Sequence, residues 1–263
     1  MLLQRLTTIV ILTSLITLSG CVTTTESSFT KKASPEKSVE NYTNLGLGYL
    51  QKGRPDLARQ RLQRALEINE RSAPANDAMG LVWQAEGEPD LAVEYHQRAL
   101  RADRRYTPAH HHIGRAYSQL GQFSNAERHL NTAAGDRYYD RRVTAYNELA
   151  MVYYRQERES QAVETYLEAL RLAPFNVEAL VNVSTLLFEL QQYEESQRYF
   201  DRFDRLAERQ QTRHNAHSLW LGIKLAAIAQ DTPRSIRFGS QLKQEFSHTE
   251  EYRLYQQSLT GGQ

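Results

Sequence analysis

Histidine is the side chain with chemical capacity that this sequence concentrates most. Three stand in a row, His110-His111-His112, and His214 and His217 are three apart. Imidazole is a general base near neutral pH and a common metal ligand. Consecutive helical residues point about 100° apart, so three in a row do not converge on one ion from one helix. His214 and His217 can share a helical face, but the sequence offers no third ligand beside them, and a hydrogen-bonded surface pair is expected. No metal site is expected on these grounds. Gly46, Gly48 and Gly53 have the look of a phosphate loop at the wrong spacing. Nucleophile-elbow, HExxH and Walker-type patterns are absent, and the carboxylates are scattered. The expectation is a protein that is not an enzyme, with no cofactor and no small-molecule substrate.

Charge narrows the partners. The 32 basic residues meet 31 acidic ones, so no basic excess invites nucleic acid. One cysteine, Cys21, excludes a disulfide framework within the chain. Its position carries more information than its number. Arg5 precedes an apolar run from Leu6 to Leu18, and Leu18-Ser19-Gly20-Cys21 follows. A bilayer span needs roughly 20 apolar residues, so this shorter run reads as a signal-peptide core over residues 1–20. Leu-Ser-Gly-Cys resembles a bacterial lipobox, which implies a covalent lipid on Cys21. Such lipoproteins carry two or three acyl chains, each contributing about 0.8 kcal/mol per buried CH₂. Val22, rather than Asp, follows the cysteine; in lipoproteins of this type that implies the periplasmic face of the outer membrane. Residues 21–38 then form the lipidated cysteine and a polar, flexible tether.

The rest of the chain is periodic. Ala58, Ala92, Ala126 and Ala162 are 34, 34 and 36 residues apart. Ala65, Ala99, Ala133, Ala169 and Phe203 keep the same beat, as do Leu45-Gly46, Met79-Gly80, Ile113-Gly114, Leu149-Ala150 and Val183-Ser184. Unit positions 4, 7, 8 and 11 share one face of a first helix, and positions 20, 24 and 27 share one face of a second. Small residues at 8 and 20 let the two axes approach closely. Lys52-Gly53-Arg54-Pro55, Glu86-Gly87-Glu88-Pro89 and Leu120-Gly121 mark the turns between the helices. One such unit buries too little apolar surface to stand alone, so units stack.

This pattern resembles the tetratricopeptide repeat. It predicts an all-α, right-handed solenoid: five repeats over 39–210, then a degenerate sixth repeat and a C-terminal capping helix over 211–263. Two extra residues enter before the fourth unit, near Tyr138-Tyr139-Asp140. In such solenoids the first helices line a concave groove. Positions 5, 9, 12 and 13 are expected to face it. In units one and two these include Thr43, Leu47, Leu50, Gln51, Asp77, Leu81 and Gln84. Leu47, Leu50, Gln51, Leu81 and Gln84 are the candidate partner-binding residues, because exposed contiguous apolar surface marks docking sites. Met151, Tyr154, Val181 and Phe188 form a secondary groove in units four and five, beside Asn147 and Thr185.

Further features add a finer resemblance: Asn44 to Gln51, the two-residue expansion before unit four, Ser218 to Leu225 with Asp231, and Gln241 to Phe246 with Glu251-Tyr252. With the lipobox, they are similar to the type IV pilus biogenesis lipoproteins of the PilF/PilW family, the secretin pilotins. That resemblance implies binding of secretin subunits in the periplasm and promotion of their outer-membrane localisation and multimer assembly. It implies a partner surface in the first repeats. The alternative is an outer-membrane lipoprotein scaffold for β-barrel assembly or peptidoglycan-enzyme regulation.

Overall fold

The computed structural model describes residues 34–260. Cys21, the signal segment and most of the tether lie outside the described residues. Thirteen helices make up the described part, and no strand occurs among these residues. They pair as antiparallel hairpins: α1 (Pro35–Gln51) with α2 (Pro55–Ile68), α3 (Ala73–Ala85) with α4 (Pro89–Ala102), and α5 (Thr107–Gln119) with α6 (Phe123–Gly135). Next come α7 (Arg142–Arg155) with α8 (Glu159–Leu172), α9 (Val177–Glu189) with α10 (Tyr193–Glu208), and α11 (Ala216–Ile228) with α12 (Thr232–Phe246). A last helix, α13 (Glu250–Thr260), lies on α11 and α12 as the expected cap. No helix among the described residues is long and apolar enough to cross a membrane.

Helix starts follow local chemistry. Ser34, Ser72, Asn176, Asn215 and Asp231 each accept a hydrogen bond from a first-turn backbone N–H, which satisfies a donor the helix leaves free. Proline, whose missing N–H costs nothing in the first turn, opens α1, α2 and α4 as their first residue. The cap at Ser34 corrects the tether boundary. Residues 35–38 belong to α1, because Ser34 and Pro35 form a helix start that a polar composition masks.

The turns inside the hairpins share one backbone shape. Gly53, Gly87 and Gly121 have φ of 67°, 81° and 71°. Units four, five and six place Glu157, Gln191 and Gln230 in the same left-handed conformation, at 59°, 61° and 56°. The amide of Gly53 donates to Leu50 O and that of Arg54 to Tyr49 O. Gln191 and Gln192 repeat the pattern with Phe188 O and Leu187 O.

The alanine series is the packed seam. Ala58, Ala92, Ala126 and Ala162 are fully buried, as are Ala65, Ala99, Ala133 and Ala169. The small residue at position 8 makes room for position 24 of the same unit: a Cβ on Gly46 would lie 2.6 Å from Leu62 Cγ, and one on Gly114 would lie 2.7 Å from Leu130 Cγ. Leu45 departs from its series. Met79, Ile113, Leu149 and Val183 are buried, but Leu45 is 45% exposed. Position 7 packs against a preceding unit, and among the described residues none precedes the first. The two-residue expansion is structural rather than slack. Tyr139 turns inward onto Ala133, Ala134 and Ala145, while Tyr138 stays in solvent.

Unit six is attached differently. Phe203 replaces the alanine of earlier units, and with Phe200 it packs against Phe238 and His214 as an aromatic cluster. His214 precedes α11 and is buried, with Nε2 3.1 Å from Asp204 Oδ1 and Nδ1 3.2 Å from Ser218 Oγ. His217 sits on α11 and meets Thr185 Oγ1 at 3.0 Å. The two histidines therefore do not share a face, since the helix starts between them. Burial would raise the Asp204 carboxyl, but His214, Arg237 and Arg234 outweigh it and hold it at about 2.

Candidate groove and buried polar cluster

Successive first helices lie against one another at the start of the solenoid: α1 on α3, α3 on α5, α5 on α7. This contact decides which predicted groove positions are open. Position 5 is not. Thr43, Asp77, His111 and Asn147 are all buried, because that position points at the next unit's first helix. Thr43 donates to Val39 O at 2.8 Å. The Asn147 amide donates to Asn176 Oδ1 and Glu178 Oε2, both at 3.0 Å. Thr43, Asp77 and Asn147 therefore do not line the groove.

Positions 9 and 12 are half-open. Leu47 and Leu50 are half-buried and rest on the core of Ala58, Leu62, Ala78, Met79 and Val82. Leu81 is half-buried, and Gln51, at the end of α1, is exposed. Gln84 is tied across the units, its Oε1 accepting from Arg115 Nη2 at 2.7 Å. Part of the apolar surface anticipated here is thus already spent on packing between repeats.

The secondary groove is more concave. Met151, Tyr154, Tyr166, Asn182, Thr185, Leu186, Glu189 and His217 surround a cavity of about 170 Å³. Tyr154 is 40% exposed. The charge of Glu189 beside its phenol raises the Tyr154 pKa. Phe188 does not line the cavity; the Lys224 ammonium lies 4.2 Å from its ring centre. Burial pushes the Lys224 pKa down. Val181 packs onto the core below. The cavity offers apolar walls with a few polar groups at its edge, which suits a peptide side chain better than a polar small molecule.

The histidine run behaves in a way the one-helix argument missed. His110 is partly exposed and sits on α5 with Nδ1 2.9 Å from His129 Nδ1. His111 is buried, 2.7 Å from the Tyr139 hydroxyl through Nδ1. Its Nε2 lies 2.9 Å from Glu148 Oε2, off-line for a hydrogen bond. His112 is also buried and meets residues of two other helices. Its Nδ1 lies 3.0 Å from Asp77 Oδ2, and His96 Nδ1 lies 2.7 Å from Asp77 Oδ1. Burial would raise the Asp77 carboxyl, but His112 and His96 outweigh it and hold it at about 2. Burial holds His112 below the usual imidazole range, against the pull of Asp77. The sequence carried one signal for this cluster: His96 occupies position 24, where other units hold Leu62, Leu130, Tyr166 and Phe200.

The stacked hairpins and the glycine-and-alanine seam define a tetratricopeptide-repeat protein. Family profiles for the tetratricopeptide repeat match residues 39–72 and 112–177. The type IV pilus assembly protein PilF of Pseudomonas aeruginosa is 31% identical over 240 residues, 91% of this chain and 93% of that protein. This chain belongs to the PilF family. The solved structure described as a functional characterisation of Pseudomonas aeruginosa PilF superposes with a TM-score of 0.80 at 31% identity, covering 86% of this chain and 100% of that one. PilW, described as a widely conserved type IV pilus biogenesis factor, shares the fold with a TM-score of 0.71 at 18% identity, over 82% of this chain and 97% of its own. YrrB, a repeat protein described as having an unusual peptide-binding site, shares the fold at 14% identity, with a TM-score of 0.60 over 74% of this chain and 97% of its own.

Proposed function

We propose that the protein is a lipid-anchored pilotin of type IV pilus biogenesis. It binds secretin subunits at the periplasmic face of the outer membrane and promotes their localisation and assembly into the multimeric pore. The observation that carries the reading is membership of the PilF family along 91% of the chain. Cys21 bears the lipid, and the repeat domain docks its partner without chemistry of its own.

The groove supports a protein partner. Leu47, Leu50 and Leu81 present half-buried apolar surface with Gln51 and Gln84 at its margin. Further along, Met151 and Tyr154 wall the cavity. An amphipathic segment laid along the groove places apolar side chains on both. Deletion of the gene tests the role directly. Secretin multimers in the outer membrane and surface pili fall together, and the parental gene in trans restores both. Normal multimers and normal piliation in the deletion strain refute the role.

A further inference from the structure

We propose that Asp77, His96 and His112 bind one divalent first-row transition metal ion of the zinc or copper type, which staples the second repeat to the third. The three side chains come from α3, α4 and α5, and one ligand atom of each lies within 4.8 Å of the others. The edges from Asp77 to the two histidines are 2.7 and 3.0 Å. A tetrahedral ion with bonds of about 2.0–2.1 Å sets its ligand atoms about 3.3 Å apart. Opening these two edges by about 0.6 and 0.3 Å, with the histidine-to-histidine edge drawn in from no more than 4.8 Å, admits the ion, a movement that side-chain torsions absorb.

The donor set selects the metal class. Two imidazole nitrogens and one carboxylate oxygen suit zinc, copper or nickel, whereas calcium and magnesium take oxygen cages. Coordination takes the carboxylate of Asp77 and the neutral imidazoles of His96 and His112, so binding releases any proton these groups hold. Three protein ligands leave one position for water or a further group.

Packing does not demand this cluster. The other units build the same seam with Thr43 and Leu62, His111 and Leu130, or Asn147 and Tyr166 at these two positions, so only unit two combines an acid with an imidazole. A Cβ on Gly80 would fall 2.5 Å from His96 Cε1, so the ring is held hard against α3. Hydrogen bonding leaves the cluster incomplete, since His96 is fully buried and its Nε2 has no partner. Burying a carboxylate with two imidazoles is costly, and an ion held by Asp77 and the two Nδ1 atoms offsets that cost, with the His96 Nε2 left as it is.

The test is calorimetric titration of chelator-stripped protein with zinc chloride near neutral pH. The expected result is one saturable ion per chain, accompanied by a rise in Tm. His112→Gln and Asp77→Asn weaken binding by more than about tenfold. His129→Gln, which dismantles the partly exposed pair with His110, leaves that ion in place. Added cobalt(II) gives visible absorption bands in the parent that change in His112→Gln, a readout independent of stability. Absence of saturable binding in the parent overturns the proposal. So does affinity unchanged in His112→Gln, or binding lost only in His129→Gln.

Discussion

Gly114 faces Leu130 so closely that a Cβ on the glycine would stand 2.7 Å from Leu130 Cγ and 3.2 Å from its backbone nitrogen. The repeat is held by this contact and its equivalents, with buried alanines beside them. Gly114→Ala therefore forces the two helices of unit three apart. Ala92→Leu and Ala126→Leu overpack fully buried seams. Each substitution is expected to cost about 1–3 kcal/mol, read as a lower midpoint in thermal or urea melts followed by circular dichroism. Parental midpoints for all three would refute the seam.

The turn residues give a prediction of opposite sign. A left-handed conformation costs a non-glycine residue about 1–2 kcal/mol, and Gln191 holds one at φ 61°. Gln191→Gly and Glu157→Gly should each raise stability by up to about 1 kcal/mol, once the larger entropy of glycine in the unfolded chain is offset. Gly87→Ala should lower it, although nothing lies within 4 Å of the added Cβ. A melt of the three variants checks the signs.

The sequence made the repeat legible because alanine and glycine mark close helix contacts whatever surrounds them. The first three turns were legible for a similar reason: Gly53, Gly87 and Gly121 announce a backbone shape that Glu157 and Gln191 adopt silently. The groove was legible only in part. Whether position 5 is open depends on how tightly successive first helices approach, which one unit's periodicity does not contain. Thr43, Asp77 and Asn147 therefore lie beneath the groove surface that the repeat register predicts for them. Asp77, His96 and His112 belong to three helices, so an argument confined to one helix does not bring them together. The inward turn of Tyr139 onto His111 depends on the loop rather than on any period.

Acid should weaken the fold early. Burial holds His112 below the usual imidazole range against the attraction of Asp77. Burial, then the neighbouring His110, pushes His129 down to about 4. The unfolded chain takes up these protons near pH ~6.5, so the folded state binds fewer protons below that point. Stability from these groups is complete above about pH 6.5 and is lost as pH falls toward about 4. Asp77 and Asp204, both held at about 2, add a further loss as pH falls from about 4 toward 2. With a chelator present, Tm should fall steadily between about pH 6.5 and 4, and less so in His129→Gln. A flat Tm across that window would contradict the assignment.

Location should rest on one atom. Under the proposed lipid anchor, Cys21→Ser leaves a folded repeat domain but removes the protein from the outer-membrane fraction. Secretin multimers then become fewer or misplaced. Membrane fractionation decides the point, and unchanged distribution of the Cys21→Ser protein argues against a lipid anchor.

The central claim is that the groove holds the partner, and secretin capture by groove variants tests it most directly. Truncating an apolar anchor at an interface centre costs more than about 1 kcal/mol, and a buried charge costs more. Leu47 and Leu50 also rest on the core, so each variant is melted alongside the parent and only folded proteins are scored. Leu50→Glu and Leu81→Glu are expected to abolish pull-down of the secretin from solubilised membranes, and paired Tyr154→Ala and Phe188→Ala to weaken it. His110→Gln should leave capture intact. Parental capture by all of the folded groove variants would contradict the account.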